Sequence, residues 1–151
     1  MKSDFRFFHT LRVRYSEIDG QGIVFNAHYM TYADVGIVEY FRFLGLDIVE
    51  LARDGVMDIA LVKSTLNFKA SAGFDDLLEI GVRVSRLGNS SFTVDFEMFT
   101  PSRDEPIVGV QSVYVNYNEA TRSSAPLPDV FVSAVKKAEG MDNATPPVED
   151  A

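Results

Sequence analysis

Residues 27–44 read AHYMTYADVGIVEYFRFL, and on a helical period apolar side chains cover nearly the whole circumference, broken mainly by Asp34, Glu39 and Arg42. A helix apolar all round is a buried helix. Asn26 stands where an N-cap side chain accepts a bond from a first-turn N–H, and Gly45 stands where a left-handed residue ends a helix. Gly36, inside the segment, costs about 1 kcal/mol of helix propensity against alanine. It is expected to mark another element packed closely against the helix backbone.

Elsewhere the period changes to two. Residues 8–15 (FHTLRVRY), 62–70 (VKSTLNFKA), 78–85 (LEIGVRVS) and 92–98 (FTVDFEM) alternate, and each predicts a strand with one wet face. Residues 107–117 are apolar in part on both faces, as in a central or interface strand. The linkers SAGFDD, RLGNSS and TPSRDEP are short, so these strands are expected to pair antiparallel as a meander. Pro126 and Pro128 precede a short helix expected over 129–137. Residues 140–151, polar and proline-rich, read as a disordered tail. The order is strand, long helix, then four strands, which indicates α+β: one domain over 1–139, its long buried helix wrapped by a curved antiparallel sheet of about five strands.

The composition narrows the function. The chain has 151 residues and a net charge of −8, from 22 acidic and 14 basic residues. That argues against a general nucleic-acid binder, which needs clustered Lys and Arg, but leaves room for a local basic patch. There is no cysteine, so disulfides, thiolate metal sites and a cysteine nucleophile are excluded. No stretch approaches the roughly 20 apolar residues of a membrane span, and the N-terminus carries no signal-peptide pattern. A cytoplasmic protein without a membrane partner is the expectation.

Common catalytic signatures are missing: G-x-S-x-G, a phosphate loop, and a complete dinucleotide fingerprint around Gly20 and Gly22. His9 and His28 offer no metal-ligand spacing, so no metal site is expected. What remains is RYSEIDGQGIVFNAHYM, which places Asp19 just ahead of the helix start. The first N–H groups of a helix lack internal partners and carry the positive end of its dipole. A carbonyl held there is polarised while a nearby carboxylate attacks its carbon or activates water. Asp-Gly is also an ordinary turn pair, and on spacing alone the turn is the favoured reading.

The stretch YSEIDGQGIVFNAHYMTYADVGIVEYFRFLG resembles the signature of the 4-hydroxybenzoyl-CoA thioesterase-like acyl-CoA thioesterases, which have the hotdog fold. Tyr15, Glu17, Asp19, Gly22, Ile23, Val24, Tyr29, Leu44 and Gly45 stand at matching positions. The likeness continues through NFKASAGFDDLLEIGVRVSRLGNSSFTVDFEMF and covers about residues 11–131.

The resemblance implies hydrolysis of an acyl-CoA to a carboxylic acid and free thiol, with no cofactor beyond the coenzyme A of the substrate. It implies a homodimer or homotetramer with its sites between subunits. Asp19 matches the catalytic aspartate, as nucleophile or as base toward water. The backbone N–H of Asn26 matches the donor that polarises the thioester carbonyl. Tyr15 matches an aromatic residue near the site, with core packing as the alternative, and Gly22 matches the residue that shapes the turn.

Arg86, Ser90 and Ser91 are candidates for binding coenzyme A, with Lys63, Lys69 and Arg83 behind them; an ordinary solvated strand face is the alternative for each base. The chain departs from the pattern where Asn26 and His28 look interchanged and where Phe25 replaces a frequent Tyr. Asp34 and Glu39 are rival carboxylates, because another branch of hotdog thioesterases carries its acid on the helix. A carrier-protein thioesterase and a non-catalytic acyl-thioester-binding module are the alternative functions. Tyr29, Tyr32 and Phe68 are read as core rather than acyl-pocket lining.

Overall fold

The computed structural model describes residues 1–141, so residues 142–151 of the expected tail lie outside the described residues. Helices α1 (His28–Phe43), α2 (Ile48–Arg53) and α3 (Asp129–Glu139) accompany strands β1 (Phe8–Arg12), β2 (Ile59–Phe68), β3 (Leu77–Leu87), β4 (Ser91–Phe99), β5 (Val108–Asn118) and β6 (Ser123–Ser124). The main sheet runs β1-β3-β4-β5-β2, and the two-residue β6 pairs with β5. β1 lies antiparallel to β3, with Phe8 opposite Gly81 and Arg12 opposite Leu77. One long helix with an antiparallel sheet is the hotdog architecture that the sequence implies.

The expected meander holds for β3, β4 and β5. β2 departs from it and stands beside β5 rather than β3. The reason lies in the SAGFDD linker, which is not a hairpin turn. Its backbone is taken up elsewhere: Ala72 accepts from the Val24 N–H (2.9 Å), Asp75 donates to the Val13 carbonyl (3.1 Å), and Ile23 bridges to Gly73. The chain thus leaves the edge of the sheet, and β3 is free to pair with β1.

The described contacts fall into two compact units. The first comprises Met1–Tyr40, Thr65–Arg83 and Asp95–Gln111. Here α1 buries the face made by Tyr29, Tyr32, Ala33, Ile37 and Tyr40, while Thr31 and Asp34 face solvent. Gly36 explains itself: a Cβ there would lie 3.2 Å from methyls of both Ile80 and Val82. The alternation read in β3 and β4 places Leu78, Ile80, Val82, Phe96 and Met98 in the core. On the other face of β3, Phe5 covers Gly81, where a Cβ would approach its ring to 2.8 Å.

The second unit comprises Phe41–Ser64, Val84–Val94 and, within the described chain, 112–141. Gly45 (φ 78°) ends α1 as expected, and the Leu46 N–H reaches back to the Phe41 carbonyl at 2.9 Å. α3 is anchored by Phe131, which stacks on Phe41 (5.4 Å between centroids) and packs against Phe92 (4.8 Å). α2, which sequence reading did not predict, starts at Asp47, whose carboxylate accepts from the Val49 and Glu50 N–H groups.

Candidate active site

Everything that brings Asp19 to the helix start belongs to the first unit. The chain leaves β1 through a single helical turn, Tyr15–Glu17, and forms a loop closed at its neck. Ile18 bridges to Val24, and the Phe25 N–H donates to the Glu17 carbonyl at 2.9 Å. Inside the loop the Asp19 N–H donates to Ile23 and its carbonyl accepts from Gly22. One carboxylate oxygen accepts the Gln21 N–H at 2.8 Å. Gly22 supplies the left-handed backbone (φ 77°) that this turn needs. Asn26 follows Phe25 directly, so closing the neck also sets the helix start.

The first turn of α1 is tight. His28, Tyr29 and Met30 donate back to Phe25, Asn26 and Ala27. The backbone N–H groups of Asn26 and Ala27 donate to no acceptor among the described residues. The electropositive end of the helix therefore has two vacant donors. The Asn26 side chain is exposed and makes no cap bond among the described residues.

A cavity of about 290 Å³ opens beside Asn26, lined by Asp19, Gln21, Ile23, Val24, Asn26, Tyr29, Phe68, Ala70 and Ser71. It joins a half-buried carboxylate, an apolar wall and the helix start. Tyr29 is core, as expected, but also forms cavity wall. Its hydroxyl accepts the Ala72 N–H at 3.3 Å, and burial raises its phenol above the usual value, only partly offset by that bond. Phe68 is not core: it is 54% exposed, because it ends an edge strand. Gln21 and Ser71 escaped sequence reading. Ser71 sits in a segment that looked like a mere linker, yet that linker forms the far wall.

The other candidates lie apart from the cavity lining. Tyr15 is 79% exposed and meets Phe74 edge to face at 5.7 Å. Arg86, Ser90 and Ser91 belong to the second unit, around the β3–β4 hairpin, where the Gly88 N–H donates to Ser91. Arg83 is engaged with Asp95, the Asp4 carbonyl and the Phe5 ring. Lys63 and Lys69 are exposed on and just beyond β2. Asp34 is exposed on α1 without a partner among the described residues, and His28 meets the Phe25 ring. Among the described residues no three His, Asp or Glu side chains converge as a metal site would require.

Below the loop lies a buried carboxylate. Glu17 is 3% exposed and accepts from the Arg14 N–H (2.7 Å) and guanidinium (3.0 Å). Burial pushes its pKa up, but the bonds from Arg14, together with Tyr32 and the Arg14 charge, leave it below the usual glutamate value. The Tyr32 hydroxyl of α1 faces the same carboxylate without forming a well-made hydrogen bond. Burial and the neighbouring negative charge push that phenol upward.

Comparison with known proteins bears on the family and the fold. The thioesterase superfamily model matches residues 21–107. The match begins two residues after Asp19 and does not include it. The acyl-acyl carrier protein thioesterase of Arabidopsis thaliana chloroplasts is 29% identical over 105 residues, 70% of this chain and 55% of that protein. A gentisyl-coenzyme A thioesterase structure superposes with a TM-score of 0.75 at 25% identity, covering 83% of this chain and 99% of the other. The 1,4-dihydroxy-2-naphthoyl-CoA thioesterase of Synechocystis does so with a TM-score of 0.80 at 20% identity, over 93% and 98% of the two chains; at that identity it speaks for the fold.

Proposed function

This chain belongs to the thioesterase superfamily and is a thioester hydrolase, and from that premise we propose that it cleaves acyl-CoA thioesters in the cavity beside Asp19. One observation carries the reading: a half-buried carboxylate, Asp19, and the helix-start residue Asn26, whose backbone N–H is vacant among the described residues, line the same cavity, and the next residue, Ala27, carries a second vacant N–H. The thioester oxygen lies toward the N–H groups of Asn26 and Ala27, which stabilise the charge it gains as its carbon is attacked. Asp19 attacks that carbon itself or takes a proton from the water that does. In the first route the acyl group passes to Asp19 as a mixed anhydride that water then cleaves, and in the second water adds directly; in both the C–S bond breaks, the departing thiolate takes up one proton that comes from the water, and the acyl group ends as a carboxylic acid. Labelled-oxygen incorporation into the protein during a single turnover in H₂¹⁸O separates the two routes.

No resident cofactor enters these steps; coenzyme A arrives with the substrate. Asp34 is exposed, has no bonded partner among the described residues and does not line the cavity. Arg86, Ser90, Ser91 and the exposed Lys63 and Lys69 remain the candidates for the coenzyme phosphates, and Tyr15 for a place at the mouth. A homodimer or homotetramer completes the reading. Its support is β2, an edge strand that leaves Leu61, Val62 and Phe68 exposed. A cytoplasmic location belongs to the same reading and fits a chain without cysteine.

Thiol release from benzoyl-, hexanoyl- and palmitoyl-CoA by wild type, Asp19→Asn and Asp34→Asn tests the proposal. Asp19→Asn is expected to lower kcat by about 10²–10⁴-fold, with Asp34→Asn near wild type. The opposite pattern moves the catalyst onto the helix. The Arabidopsis relative raises acyl carrier protein as a second thioester source. The net charge of −8 weighs against an acidic carrier, and a higher kcat/KM on the carrier-bound acyl group than on the CoA form would overrule that.

A further inference from the structure

Glu17 is an odd residue to bury. A carboxylate taken out of water is costly unless it is paired, and an apolar side chain of similar size serves stability as well or better. Its position suggests what the charge is for. Glu17 stands two residues before Asp19. Its own carbonyl receives the N–H of Phe25, the residue before Asn26. The loop that presents the carboxylate and the helix start that presents the vacant donors thus meet at one residue.

The side chain adds the remaining fixings. Arg14 holds it from the β1 side through two bonds. From α1 the fully buried Tyr32 hydroxyl faces it and makes no proper bond to any other group among the described residues. An orphaned buried hydroxyl costs free energy. The carboxylate it faces is the partner available to it.

We propose that Glu17 is a positioning residue for the thioesterase reaction, with Tyr32 as its counterpart on the helix: together they set the distance between the Asp19 carboxylate and the N–H groups of Asn26 and Ala27. Glu17 reaches neither substrate nor cavity; it acts through the loop neck. The inference rests on the reading of Asp19 given above. It predicts a specific kinetic signature, because a misplaced catalytic group weakens the transition state more than the bound substrate.

The test uses the full chain and the fastest of the three acyl-CoAs named above, with rates expressed per folded molecule from a parallel unfolding curve. Glu17→Gln, which keeps shape but not charge, is expected to lower kcat about tenfold or more while KM stays within about twofold. Tyr32→Phe, which removes only a hydroxyl, is expected to shift kcat in the same direction by less. In the Asp19→Asn background, Glu17→Gln is expected to cost little more, since its effect passes through Asp19.

Unchanged kcat in Glu17→Gln and Tyr32→Phe, whatever happens to stability, makes the pair merely structural and overturns the proposal. A rise in KM at constant kcat overturns it as well. Full activity in Asp19→Asn would instead remove the reading on which the inference stands, and that outcome is visible separately. If Glu17→Gln does not fold, Tyr32→Phe alone decides.

Discussion

Asp19 sits in a half-buried turn, fixed through one carboxylate oxygen to the Gln21 N–H, and its other oxygen accepts no bond among the described residues. Its neighbour Glu17 is buried and fully engaged, and the contrast has a measurable consequence. The folded-state pKa of Glu17 lies below the ordinary value of 4.5. A depressed carboxylate contributes stability above its unfolded pKa and loses it as pH falls through the folded value. The melting temperature of wild type is therefore expected to exceed that of Glu17→Gln at pH 7, and the gap to narrow steadily below about pH 4.5. A constant gap across that window would mean that charge is irrelevant at this position.

Gly81 offers a second test at this scale. A methyl group there meets the Phe5 ring at 2.8 Å, so Gly81→Ala is expected to destabilise by about 1–3 kcal/mol in urea unfolding. The candidate site was legible where chemistry is local: Asp19, Gly22 and Asn26 sit within one short stretch. Glu17 was legible only as a motif position. It is buried facing Tyr32, fifteen residues further on and on another element, and nothing in the local pattern YSE announces that.

Among elements, α1 was the most readable, because its apolar period and Gly45 stop are written within one segment. Gly36 shows how far that goes. Its close packing was expected from helix propensity alone, and the methyls of Ile80 and Val82 supply the cause. Alanine there trades crowding against propensity, whereas Gly36→Val adds branched bulk and is expected to destabilise by about 1–3 kcal/mol more than Gly36→Ala. In the second unit Phe131 holds α3 through two ring contacts, so Phe131→Ala is expected to cost about 3–5 kcal/mol in the same assay.

The position of β2 was not readable. Alternation says which residues share a face but not which strand lies alongside, and SAGFDD looks like a hairpin until its bonds to Val13 and Val24 are seen. α2 was missed because six residues are too few for a period; Asp47 and the left-handed Gly55 were the available signals.

At the scale of the whole molecule, an acidic chain presents a ten-residue edge strand with Leu61, Val62 and Phe68 exposed. Unpaired edges of that length are normally covered, which is the basis for the proposed homodimer. Val62→Lys is expected to shift sedimentation toward a single chain and to lower thioester hydrolysis with it, if the partner helps enclose the cavity that Phe68 borders. A chain that sediments as a monomer at every concentration while hydrolysing acyl-CoA normally would dismiss that part of the account. The central claim concerns atoms, and a crystal structure with an acyl-CoA analogue whose thioester sulfur is replaced by a methylene group tests it most directly. The account predicts the ketone oxygen about 2.7–3.1 Å from the N–H of Asn26 or Ala27 and its carbon about 3–3.5 Å from the Asp19 carboxylate or from a water bound to it. A ketone lying beside Asp34, or anywhere out of reach of Asp19, would contradict it.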